Sequence, residues 1–234
     1  MTEPLEIEFL CHPDDLGVIP EPFPARKLMP EWYKALPPKI NNEVKLENST
    51  LKRCPPFIDA MSVGWIIPLA ADVEFVTNED ASGVTYKSMF YRSMIENHSM
   101  DQISHPKCPN PALPKPPMKF MNHWAIRVPK GYSVMFVPPL NRPESRFTCF
   151  SGIVDCDGYF EFVNFPFLFN TPNFTGILEA GTPLVQMIPF KRDSLFKDAK
   201  IGAMTAEDFA ALEKTRRQRK VSESYYRNKI WTKK

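Results

Sequence analysis

Proline sets the strongest limit on what this chain can fold into: it has 25 prolines against only 9 glycines in 234 residues. That is about 11% Pro, roughly twice average usage, and about half the usual Gly. Proline removes a backbone donor and breaks helix interiors, so prolines scattered among β-branched and aromatic runs favour short strands joined by stiff loops. Such a composition leads to disorder only when apolar residues are scarce. Here 43% of the residues are hydrophobic and 18 are Phe, enough for a substantial core. No run approaches the roughly 18 apolar residues of a membrane span. The N-terminus, MTEPLEIEF, is acidic and has no basic leader pattern. The expectation is a soluble protein, cytoplasmic or, if phage-encoded, carried in the virion, with no membrane partner.

The proline pattern divides the chain into three parts. Residues 1–53 form a Pro-rich arm, with IEFL as an opening strand and short helical turns in ARKLMPEWYKAL whose Trp32, Tyr33 and Leu36 pack on the body. Residues 54–200 read as a β body. Its expected strands are CPPFIDAMSVGWIIPL, DVEFV, VTYKSMFY, MNHWAIRV, YSVMFVPP, FTCFSGIVD, YFEFVNFPFLFN, FTGIL and PLVQMIPF. Turn signals every 8–12 residues or so predict a sandwich or barrel-like sheet pair. The apolar residues on both parities of Tyr159–Phe165 predict a strand buried on both faces. Residues 98–118 are a long proline-dense loop, of the kind that is functional or interfacial. Residues 204–234 form a basic helix, opened by a capping box at Thr205–Asp208 and free of Gly and Pro from 206 on.

Charge is split between the ends. Residues 1–25 carry six acids and no Lys or Arg, whereas 211–234 carry nine Lys/Arg against two Glu. A basic tail with interleaved aromatics suits a nucleic acid, an acidic partner, or the acidic arm of a neighbouring subunit. The five cysteines form no CxxC pair, which suits a reducing compartment. His105 and Cys108, with His98 and His123 nearby, make the nearest approach to a metal box, but no second pair has the spacing of a zinc site. Buried thiols and loop histidines are the plainer reading, and no metal site is assigned.

The most suggestive chemistry is Asp155-Cys-Asp157. On an extended segment a spacing of two turns both carboxylates to one side, where they would share a cation or raise each other's pKa. The plainer alternative is an Asx turn satisfying backbone donors. Three segments follow one another in an informative order. They are Val128-Pro-Lys-Gly-Tyr through Pro-Pro-Leu-Asn-Arg142, Ser151-Gly-Ile-Val-Asp-Cys-Asp-Gly-Tyr159, and Glu179-Ala-Gly-Thr-Pro-Leu-Val-Gln-Met-Ile188. Over residues 123–192 they resemble the trimeric dUTPases and dCTP deaminases, whose fold is a β-clip or jelly-roll-like sheet pair. By that resemblance Asp155 corresponds to the carboxylate at the deoxyribose and attacking water. Tyr159 corresponds to the tyrosine under the sugar, and Gln186 to the glutamine facing the phosphates. The family's phosphate-binding Arg-Ser-Gly is missing here. Asn141 and Arg142 stand near its place, out of register, and the Gly-rich C-terminal closing motif has no counterpart. Most of the chain also resembles a bacterial and phage family of no assigned activity (a domain of unknown function). That resemblance is carried by Gly17-Val-Ile-Pro-Glu-Pro, Met29-Pro-Glu-Trp-Tyr, Cys54-Pro-Pro-Phe, Pro139-Leu-Asn-Arg and Val163-Asn-Phe-Pro-Phe.

The expected fold is therefore mainly β, dUTPase-like, with an N-terminal arm and a C-terminal helix. Three functions compete. The first is a non-catalytic, homotrimeric binding or assembly protein with a degenerate nucleotide site, its protein contacts made through 98–118 and 204–234. The second is a divergent nucleotide hydrolase or deaminase using Asp155 and Asp157, with Asn141, Arg142, Tyr159 and Gln186 on the ligand and Mg²⁺ bridging carboxylates to phosphates. The third is a nucleic-acid-associated protein acting through the basic tail. The first requires no cofactor.

Overall fold

The computed structural model describes residues 6–41, 47–99, 117–222 and 225–232. The strands in chain order begin with β1 (Glu8–Leu10), β2 (Phe23–Pro24), β3 (Lys39–Asn41), β4 (Glu47–Ser49), β5 (Trp65–Pro68) and β6 (Val73–Thr77). They continue with β7 (Val84–Lys87), β8 (Ile95–Asn97), β9 (Met118–Phe120), β10 (Ala125–Arg127) and β11 (Tyr132–Val137). The last are β12 (Phe147–Cys149), β13 (Gly152–Val154), β14 (Phe165–Phe169), β15 (Thr175–Leu178) and β16 (Pro183–Lys191). The helices are α1 (Glu31–Ala35), α2 (Pro55–Ser62) and α3 (Ala206–Val221). The chain separates into two compact units, residues 1–28 with 61–192, and residues 29–60 with 193–234.

The first unit is mainly β. One sheet runs β13-β11-β16-β5-β2, a second β12-β14-β9-β8 and a third β15-β6-β7, while β1 pairs with β10. Every pairing between these strands is antiparallel. The two larger sheets share one core. Val134 and Phe136 of β11 and Val185 and Met187 of β16 belong to the same buried cluster as Phe165, Phe167 and Phe169 of β14 and Phe120 of β9. The Phe surplus is used in ring packing: Phe120 stacks on Phe167 at 3.7 Å, Phe75 on Phe169 at 4.7 Å, and Phe136 meets Phe165 at 5.5 Å. Strand β6 has the strict buried–exposed alternation of a sheet with one face in the core and one in water. The expected sheet pair is thus present, with β16 at the centre of its larger sheet.

Three local expectations are corrected. The stretch from Cys54 to Leu69 is not one strand, because residues 55–62 are helix α2 and only Trp65–Pro68 is extended. Both prolines sit in the first turn, where their missing N–H groups have no intrahelical partner anyway. FTCFSGIVD is two strands in two sheets, broken at Phe150 and Ser151. Tyr159 to Asn164 is not a doubly buried strand: the chain turns through Gly158, and β14 begins only at Phe165. Of the proline-dense loop, residues 100–116 lie outside the described residues. Among the described residues no helix is long and apolar enough to cross a membrane.

In the second unit, α1 brings Tyr33 against Phe57 of α2, with ring centroids 5.8 Å apart. Lys52 holds that corner by donating to the carbonyls of Tyr33 and Lys34, each at 2.9 Å. Helix α3 is opened by the expected box: Thr205 Oγ1 accepts from the Asp208 N–H, and the Asp208 carboxylate from the Thr205 N–H. Beyond α3, Trp231 donates its indole N–H to Asp59 at 2.8 Å.

Candidate functional site

Strands β13, β11 and β16 lie side by side, so all three segments that carry the dUTPase resemblance meet in one sheet. The register pairs Met135 of β11 with Ile153 of β13, and Val137 with Gln186 of β16. The chain then turns sharply after β13, with the N–H groups of Gly158 and Tyr159 both donating to the Asp155 carbonyl at 3.0 Å. The two aspartates therefore flank a turn and do not lie on one extended strand, which ends at Val154.

What faces them is Arg192, which follows β16. Its Nη1 donates to Asp157 Oδ1 at 3.0 Å and its Nη2 to Asp157 Oδ2 at 2.5 Å, a two-pronged guanidinium–carboxylate pair. Arg192 also donates to the Tyr132 carbonyl at 2.8 Å and reaches Asp155 Oδ1 at 3.4 Å. The backbone N–H of Gly131, in the turn before β11, donates to Asp157 at 2.8 Å, and Ser133 Oγ to Asp155 at 2.5 Å. The Asp157 side chain is only 8% exposed and that of Asp155 is 68% exposed. Asp157 is lowered, not raised, in this setting. Arg192 above all, and then the Gly131 N–H, hold Asp157 down at about 2. Between them Cys156 is buried, and burial with the flanking carboxylates pushes its thiol up to about 11. Sequence reasoning missed Arg192. It lies 35 positions from Asp157, and only the pairing of β16 with β11 brings it there.

Gln186 is fully buried. Its Oε1 accepts from the Leu140 N–H at 3.0 Å and its Nε2 donates to the Val63 carbonyl at 2.7 Å, tying the loop after β11 to the segment before β5. Arg142 is bonded through Nε and Nη2, while its buried Nη1 has no partner among the described residues. Its Nε donates to the Leu28 carbonyl at 2.6 Å, and its Nη2 to those of Met61 at 2.6 Å and Ala25 at 3.0 Å. Burial pulls its pKa down from the usual guanidinium value. Asn141, exposed, takes a left-handed backbone (φ +59°) that lets the loop turn back. Asn141 and Arg142 line an open, mainly apolar cavity of about 530 Å³ with Leu140, Phe147, Cys149 and Leu184. Tyr159 is half exposed. Neither it, nor Gln186, nor either aspartate lines that cavity. The sequence-predicted residues are therefore grouped as an aspartate–arginine knot, a buried glutamine tie and a loop cavity.

Of the histidines and cysteine near a metal box, His105 and Cys108 lie outside the described residues. His123 is buried, with Phe90 at 5.5 Å and Phe162 at 6.4 Å. Among the described residues no group of three or more His, Cys, Asp or Glu is disposed to hold a metal ion.

No family model matches the chain, and no curated protein sequence matches it. Among solved structures it is similar to a dUTPase variant of Staphylococcus bacteriophage 80alpha at 9% identity and TM-score 0.37, covering 88% of this chain and 100% of that one. It is similar to the EIAV dUTPase at 11% identity and TM-score 0.34, covering 62% of this chain and 88% of that one. A dUTPase mutant from phage phi11 of S. aureus matches at 12% identity and TM-score 0.29, over 40% and 76% of the two chains. Similarity at this level gives the protein no activity; what the site can do has to follow from its own side chains.

Proposed function

We propose that the protein is a non-catalytic, oligomeric β-clip protein, homotrimeric by its resemblance, whose nucleotide site survives only as structural ties and which acts in binding or assembly in a phage or bacterial setting. One observation carries this reading: the side chains that would work on a nucleotide are already bonded within the chain. Asp157 is held by a guanidinium and a backbone N–H. Gln186 has both ends occupied, and Arg142 donates to three carbonyls. A carboxylate held at about 2 is a poor general base. A divalent cation between the aspartates would have to displace Arg192, so the pair does not fit Mg²⁺. Asp155 favours the second reading, a divergent hydrolase, because its carboxylate is largely exposed and beside a hydroxyl.

A thermal-shift screen against deoxynucleotides and ribonucleotides, with and without Mg²⁺, tests the two. A ligand at about 100 times its dissociation constant stabilises by roughly 2.7 kcal/mol, a shift of several degrees. The expected result is no shift at millimolar ligand. A shift that Asp155→Asn abolishes, followed by turnover, would establish the hydrolase instead.

A further inference from the structure

The segment that follows β16 carries apolar side chains that are exposed among the described residues. Phe196 is 98% and Ile201 97% exposed, and Leu195 and Met204 are also exposed. Such a run is expensive to leave in water, and soluble proteins seldom keep one unpartnered. The first unit carries a groove of about 570 Å³ lined by Val18, Ala70, Ala71, Met89, Ile177 and Ala180. Met89 is 88% exposed, and Val18 and Ile177 are more than half exposed. Its three alanines leave room for a large side chain, and its apolar neighbours reward filling that space. The rim is charged: Glu74 of β6 stands opposite Lys87 of β7 in register, with Asp72 beside them. Around Phe196 the segment carries Lys197, Asp198 and Lys200, charges that can pair with that rim.

We infer that this groove is the docking site for residues 195–204 of a second copy of the chain, with Phe196 as the anchor. The inference rests on the oligomeric part of the reading above, and not on its account of the nucleotide site. Groove and segment are different surfaces, so the contact is head-to-tail, the kind that closes into a ring when the rotation allows. The alternative partners, a foreign protein or the same chain's own segment, are outcomes of the test.

Sedimentation velocity on the full chain between about 5 and 50 μM provides it. The wild type is expected to run as a defined oligomer. Phe196→Asp/Ile201→Asp, which spoils the segment, and Ala180→Trp, which fills the groove, are each expected to run as monomers with unchanged circular dichroism. Mixing the two variants restores one intact segment and one intact groove, so a heterodimer forms. A variant that misfolds is replaced by Met89→Cys and Phe196→Cys on separate chains, one isotopically labelled, where a mixed-isotope disulfide is expected. A wild-type oligomer that survives both substitutions, or a mixture that stays monomeric, overturns the groove while leaving oligomerisation standing. Absence of a mixed-isotope disulfide between positions 89 and 196 overturns the groove as well. A monomeric wild type overturns both.

Discussion

Replacing Arg142 by Met keeps most of its bulk and removes all of its donors. Three carbonyls then lose a charged partner, those of Ala25, Leu28 and Met61. Ala25 keeps the N–H of Leu28, so two are left without that replacement. Hydrogen bonds to charged groups contribute about 1.5–3 kcal/mol each, and water entering beside a part-exposed side chain recovers some of that, giving a net loss of roughly 2–4 kcal/mol. For a chain of this size that is about 5–15 °C of melting temperature. Arg142→Lys places one point donor where a planar fork served three acceptors, so it should recover less than half of the loss. Urea unfolding of the three proteins, with the slope of the transition checked for constancy, measures this. A loss below about 1 kcal/mol for Arg142→Met would refute the assignment of Arg142 as a structural tie and return it to the pool of ligand-binding cations.

Two further substitutions probe the same sheet. Asp157 is depressed in the folded state, so its contribution is complete above the ordinary carboxylate range near 4 and lost as the pH falls towards 2. A carboxyl NMR titration should place its midpoint near 2, and Arg192→Gln should return it to the ordinary range and flatten the acid loss of stability; a midpoint near 4 with Arg192 intact contradicts the pairing. Gly64 has φ +73°, and a Cβ there would stand 1.9 Å from the Met187 carbonyl oxygen. Gly64→Ala should therefore cost at least about 3 kcal/mol or prevent folding, and an unchanged melting curve would show that β5 and β16 can separate at no cost.

Much of the sheet was legible because its signals are local. The turn at Gly131 runs straight into β11, and β16 is one mainly apolar run of nine residues. The Thr205–Asp208 cap is equally local. α2 was hidden because Pro-Pro-Phe reads as extended unless the prolines are placed in a first helical turn. The strand expected through Tyr159 was lost to the turn at Gly158, which exposes Tyr159 and Phe160 instead. The aspartates were legible as a pair, yet their partner was not, since nothing in the order of residues brings Arg192 to Asp157. Gln186 and Arg142 were found by position, but their roles depend on carbonyls at Val63, Met61, Leu28 and Ala25, all set by tertiary structure.

The central place of β16 has a consequence for how the protein is made. Its neighbours, β11 and β5, were both synthesised well before it, and the sheet they share cannot close until residue 191 has left the ribosome. β1 meanwhile waits for β10, more than a hundred residues later. Nascent chains of this protein therefore carry the unpaired edges of β11 and β5 through much of translation, with the strand that joins them made last. Chains whose contacts are so far apart fold slowly and are vulnerable to self-association while they wait. Proline-stiffened connections between strands shorten that interval, since loops already restricted before folding have less freedom to lose.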